Sequence, residues 1–150
     1  MDKPSVRFQR ANFVVRDLDR ALEFYVGVLG LSLDFVKDSD AASYSYQVFD
    51  IAKGARIRFA VLSAPGQPRV MALTEVKDAT PLPAVPRPRR AAIVLETGDL
   101  DGVAQRARDR GFGVCPEGAL LTFDGRQGRE LGLVDADDNL SVVYTLPEPS

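Results

Sequence analysis

The groups with which this chain could do chemistry are few. The candidate general bases are Glu75, Glu96 and Glu130, the one thiol is Cys115, and "DADDN" gathers Asp135, Asp137 and Asp138. There is no histidine anywhere in the sequence. That excludes Ser-His-Asp and Cys-His nucleophilic sets, in which an imidazole must take the proton from the hydroxyl or thiol. Cys115 therefore reads as a structural thiol, and one cysteine allows no intrachain disulfide. No two of the glutamates have a spacing that marks acid–base work. Glu75 closes a strand-like run and Glu96 sits just before a turn; the sequence identifies no catalytic residue, and Glu130 stands only as a candidate. The aspartates of "DADDN" lack the loop length, central glycine and closing glutamate of an EF-hand, so this segment reads as a solvated turn. "GARIRF" and "DGRQGRE" match neither a P-loop nor a dinucleotide fingerprint.

Charge narrows the partners. The net charge is −2 over 150 residues. A nucleic-acid binder needs a basic excess to neutralise phosphates, and none is present. The one basic cluster, "RPRR" at Arg87 to Arg90, lies among prolines and reads as solvated linker. The N-terminal "MDKPSVRFQ" has no apolar core of a signal peptide, and no run approaches the length of a membrane span. The expectation is a cytoplasmic protein without membrane or nucleic-acid partners. An apolar fraction of 45% is enough for an ordinary globular core.

The elements that must position any site come as a repeat. "VVRDLDRAL" (14–22) is echoed by "LETGDLDGVA" (95–104). In each, an apolar strand meets Asp-Leu-Asp, and an aspartate there can accept from the first unpaired N–H groups of a helix. Apolar stripes follow at helical spacing, Leu18, Leu22, Tyr25 and Leu29, then Leu100, Val103 and Ala107. Gly30 and Gly111 supply the stops. Strand-like runs come next: "SYSYQVFDI" (43–51), "ARIRFAVLSA" (55–64) and "RVMALTEV" (69–76), then "GFGVCP", "ALLTF", "RELGLVD" and "LSVVYTL". Each half thus reads as strand, helix and three strands, a βαβββ module. The modules span 7–76 and 91–146 within a single domain over 1–150. Between them, "KDATPLPAVPRPRR" (77–90) holds four prolines and forms a semi-rigid linker.

This pattern resembles the vicinal oxygen chelate superfamily of glyoxalases, bleomycin-resistance proteins and extradiol dioxygenases. The resemblance rests on "NFVVRDLDRALEFYVGVLGL" and the closing "GLVDADDNLSVVY", and runs from Phe8 to Leu146. It implies an α+β fold in which two βαβββ modules form a curved mixed sheet around a cavity, with helices on the outside. Metal-binding members usually place a histidine seven residues before the "DLD" aspartate and a glutamate three after the turn asparagine. Those positions hold Arg10, Ala92 and Val142 here, and Ala72 stands at the matching place in the first module. Arginine has no lone pair to offer and the others have no polar side chain, so the superfamily's metal site is absent from the sequence.

Strand alternation then says which residues share a face. Ile57, Phe59 and Val61 form an apolar face suited to packing under a helix, with Arg58 on the opposite face. The resemblance implies that the cavity face carries Arg10, Asn12, Tyr44, Tyr46, Arg58, Thr74 and Tyr144 as substrate-binding residues. Tyrosines offer apolar area with a polar end, and arginine pairs with carboxylates. Arg10, at the metal-ligand position, can replace the metal's charge toward an oxyanion. The expected function is a metal-independent, cofactor-free member binding a small aromatic or anionic molecule, as a homodimer through exposed strand edges. Two alternatives stand beside it. One is a metal-free isomerase, cyclase or lyase. The other is a metal-dependent lyase or dioxygenase with unrecognised ligands. Whether the modules pair within one chain or across a dimer is left open.

Overall fold

The computed structural model describes residues 3–77 and 82–148. Strand β1 (Ala11–Val15) leads into α1 (Leu18–Leu22), which continues as a π-helical segment over Glu23–Val28. Asp17 caps α1, its carboxylate accepting from the Arg20 N–H at 3.2 Å. Strands β2 (Ser32–Asp38), β3 (Arg56–Ala64) and β4 (Gln67–Lys77) complete the first module, with a one-turn helix α2 (Ser45–Val48) in the long β2–β3 connection. The second module repeats the plan with β5 (Ile93–Glu96), α3 (Leu100–Asp109), β6 (Gly113–Val114), β7 (Gly118–Leu121), β8 (Gln127–Val134) and β9 (Leu140–Thr145). Asp99 caps α3 through the Gly102 N–H. Gly30 and Gly111 both sit at φ +78°, a left-handed geometry that glycine adopts without a Cβ penalty, and each ends its helix.

The sheets are mixed, in the orders β1-β4-β3-β2 and β5-β9-β8-β6, with β7 also on β8. Strands β6 and β7 pair with successive stretches of β8 and act as one strand interrupted around Pro116. The fold is α+β, as the resemblance implies. Within the chain the curved surface is built as two sheets. The helices unite them: Phe24 meets Phe112 edge-on at 5.0 Å, and the Arg106 guanidinium donates to the Val28 carbonyl. One contiguous core runs from Val15 and Leu73 through Phe24 and Tyr25 to Val103, Leu131 and Val143. No described helix is long and apolar enough to cross a membrane.

Three readings are corrected. First, "SYSYQVFDI" is not a strand; its centre is α2, followed by turns. Second, the first helix buries Ala21, Phe24 and Val28 beside Leu18 and Tyr25, while Leu22 and Leu29 only flank the core. The cause is the π segment, in which the Leu29 N–H reaches the Phe24 carbonyl five residues back and so rotates the stripe. Third, "DADDN" is a structural junction rather than a solvated turn. Asp135 is buried and accepts from the Tyr25 hydroxyl (2.8 Å), the Asp137 and Asn139 N–H groups, and the Asn139 amide. Asp137 accepts from the Arg16 N–H at the end of β1.

Asp138 holds the linker. It accepts from the Val85 N–H, from Arg87 and from Arg89, the last at 2.5 Å. "RPRR" is thus tied down at two of its arginines rather than free in solvent. These guanidiniums, Arg87 first and Arg89 next, hold the Asp138 carboxyl well below the usual carboxylate range. A depressed folded-state pKa stabilises the fold above the unfolded carboxylate's pKa of about 3.9 and loses that contribution as pH falls further. In a carboxyl-carbon NMR titration the Asp138 carboxyl is expected to stay ionised well below the usual carboxylate range. Amide exchange at Val85 should accelerate over the same acid range, and Asp138→Asn should remove that pH dependence.

Candidate functional site

The open face of the first sheet is set by its pairing register. β1 runs parallel to β4 with Asn12 beside Ala72 and Val14 beside Thr74, and β3 runs antiparallel to β4 with Val61 beside Ala72 and Phe59 beside Thr74. These side chains share the face turned away from α1. On the other face, Glu75 accepts from the Leu18 N–H at the start of α1 at 2.6 Å, and Leu73 and Ala60 enter the core.

Over the open face lies a cavity of about 250 Å3. Its polar groups are Arg10, Asn12, Ser39, Ser43, Ser45 and Thr74, and its floor is Phe59, Val61 and Ala72. Thr74 is 2% exposed, and its hydroxyl donates to Asn12 Oδ1 at 3.0 Å. That bond orients the amide and leaves its two N–H donors uncommitted to Thr74. Arg10 is exposed and its Nε donates to the Arg69 carbonyl at 3.3 Å. The structure therefore brings Arg10, Asn12 and Thr74 together.

It does not bring the other four residues to that cavity. Arg58 lies on the helix-facing side, beside Glu75 in the register, with its Nε 2.7 Å from Glu75 Oε1. It borders a separate polar cavity of about 630 Å3 with Arg16, Asp19 and Lys77. Tyr44 precedes α2 and is 68% exposed. Tyr46 lies within α2 and donates to the Ala55 carbonyl at 2.7 Å. Tyr144 is on the second sheet, in register with Glu96 on one side and Glu130 on the other, and its hydroxyl donates to Glu96 at 2.8 Å. That bond raises the Tyr144 phenol above its ordinary value, and burial adds to it. Glu130 thus stands beside a tyrosine but away from Arg10. Sequence reading missed Ser39, Ser43 and Ser45, which come from the β2–β3 connection. It also placed Phe59 and Val61 under a helix, whereas they floor the cavity.

A second, more apolar cavity of about 580 Å3 opens at the seam between β1 and β5, bounded by Phe8, Asn12, Met71, Ala92 and Val94. The four positions corresponding to metal ligands, Arg10, Ala72, Ala92 and Val142, lie on β1, β4, β5 and β9 or at their ends. Their side chains do not fit a metal ion, and among the described residues no group of three or more His, Cys, Asp or Glu is placed to hold one.

The family model for the glyoxalase/bleomycin resistance protein/dioxygenase superfamily matches residues 7–137. The chain belongs to that superfamily. Solved structures of superfamily members share the fold at low identity. A glyoxalase family protein from Bacillus cereus has 16% identity and a TM-score of 0.73, over 97% of this chain and 98% of its own. A glyoxylase/bleomycin resistance protein/dioxygenase domain from Frankia sp. EAN1pec has 20% identity and a TM-score of 0.68, over 97% and 100%. TnmS3, an antibiotic binding protein from Streptomyces sp. CB03234, has 20% identity and a TM-score of 0.59, over 97% and 100%. No curated protein matches this superfamily member in sequence.

Proposed function

We propose that this superfamily member is a metal-independent binding protein for a small aromatic or anionic molecule, held against the open face of the first sheet. The observation behind the reading is Arg10. A fixed cation stands where metal-binding relatives place a ligand, above a cavity whose other polar groups are hydroxyls and one amide. A guanidinium can take over the metal's electrostatic role toward an oxygen anion. The antibiotic-binding neighbour is consistent with a binding role on this fold. The test is native mass spectrometry of the protein from its own cells, followed by Arg10→Ala. The protein is expected to retain an organic mass and no metal, and Arg10→Ala to weaken that ligand about ten-fold or more, as loss of a charge-assisted hydrogen bond does. Because Arg10 is exposed, the melting temperature should not move. One metal per chain would sink the reading.

The protein acts in the cytoplasm as a homodimer in this reading. Strand β2 pairs only with β3 among the described residues, so its outer edge is open, and it exposes Leu33, Phe35 and Val36. Native mass or light scattering showing a monomer would remove that part. A metal-free isomerase, cyclase or lyase is the second reading, favoured by the row Glu96, Tyr144 and Glu130 on the second sheet. Turnover of the retained ligand, lost in Glu130→Gln, would establish it.

A further inference from the structure

Resting on the small-molecule reading above, we infer that the cavity of the first module selects compact organic acids, with the β2–β3 connection supplying half of the recognition. The oxyanion head group sits among Arg10, the Asn12 amide and the hydroxyls of Ser43 and Ser45. The short apolar remainder lies on Phe59 and Val61.

Four observations lead there. Among the described residues no Asp or Glu lines this cavity, and its one charged group is Arg10. An ammonium ligand therefore meets a like charge and no counter-ion. The buried Thr74 hydroxyl donates to the Asn12 carbonyl oxygen and so fixes the orientation of the amide, whose two N–H donors are not committed to Thr74. The Ser43 Oγ accepts from the Ser45 N–H at 3.2 Å, which leaves its own O–H free to donate outward. Donors thus converge from β1 and from the connection around α2; an oxyanion can accept from all of them, whereas a neutral amide accepts through one oxygen only and must turn its own N–H groups to hydroxyl oxygens. The fourth observation is size. About 250 Å3 holds roughly eight water volumes of about 30 Å3, below the range of about 300–1,000 Å3 typical of drug-sized ligands. That suits a carboxylate or phosphonate on one ring. The hydroxyls belong to a connection that reaches the cavity from outside the sheet, so specificity is set there rather than by the sheet alone.

The test is an amide-resolved NMR titration of the full chain at neutral pH with benzoate, phenylphosphonate, benzamide and benzylammonium as probes. Benzoate or phenylphosphonate should shift the amides of Asn12, Ser43, Ser45 and Thr74. Benzamide and benzylammonium should bind about ten-fold more weakly or worse, the loss expected when hydrogen bonds to a charged group are replaced by neutral ones. Arg10→Gln should remove the preference for the acids. Ser43→Ala/Ser45→Ala should weaken the acids while leaving the spectrum dispersed. Equal affinity for benzamide would overturn the acid selectivity and leave small-molecule binding standing. Acid-induced shifts confined to Ala92–Leu95 would overturn the location. No binding by any of the four probes would overturn this inference, whereas the binding reading itself falls only if the protein from its own cells also carries no organic mass.

Discussion

Glu75→Ala is expected to lower folding stability by about 3–5 kcal/mol, the cost of breaking a buried ion pair by removing one partner. Glu75 is 2% exposed, and both of its oxygens are occupied. Arg58 reaches them with Nε at 2.7 Å and Nη2 at 3.2 Å, and the Leu18 N–H donates to Oε2 at 2.6 Å. Alanine would leave the Arg58 guanidinium, only 26% exposed, with no more than the looser Asp19 contact at 3.7 Å, and an orphaned N–H at the start of α1. For a chain of this size each kcal/mol shifts the melting temperature by about 2–4 °C, so a drop on the order of 10 °C should appear in a thermal scan. Glu75→Gln keeps an acceptor for Leu18 and should lose less. An unchanged melting temperature for Glu75→Ala would contradict the pairing described here.

Asp135→Ala is the second large effect, about 3 kcal/mol or more. Its carboxylate satisfies the buried Tyr25 hydroxyl and three donors of its own turn, and each buried donor left unpaired costs about 1–3 kcal/mol. Burial and the neighbouring Asp135 charge push the Tyr25 phenol far above its ordinary range, so it remains a neutral donor at any pH the protein meets. Tyr25→Phe removes one of these bonds and should cost about 1–2 kcal/mol, and Asp135→Asn should fall between the two. Chemical denaturation of the three variants would order them. A Tyr25→Phe cost equal to that of Asp135→Ala would mean that the turn's own bonds contribute nothing.

Both residues show where sequence reading succeeds and where it stops. The "DLD" repeats were legible because a helix start demands an acceptor, and Asp17 and Asp99 provide it. The "DADDN" junction was not, because its partners lie far along the chain, as Tyr25 does from Asp135. The face assignment of β3 reversed for a related reason. Both faces of this central strand are covered, so Ile57 and Val61 are as buried as Ala60 and Leu62, and alternation alone cannot say which side meets α1. Glu75 decides it, by reaching Leu18. "SYSY" alternates like a strand, but it lies in the connection between β2 and β3 and closes a single helical turn. Counting back from the "DLD" aspartate pointed to Arg10 and Asn12, which border one cavity with Thr74. The serines facing them had no periodic signal to give.

The β8–β9 turn belongs to the second half of the sequence, yet it grips Tyr25 and the Arg16 amide in the first half. Arg106 of α3 likewise donates to the Val28 carbonyl. A cut in the linker would therefore leave two fragments still clasped by a shared core. The two halves thus complete one another's interior, and the linker, itself tied to Asp138, keeps them at high mutual concentration.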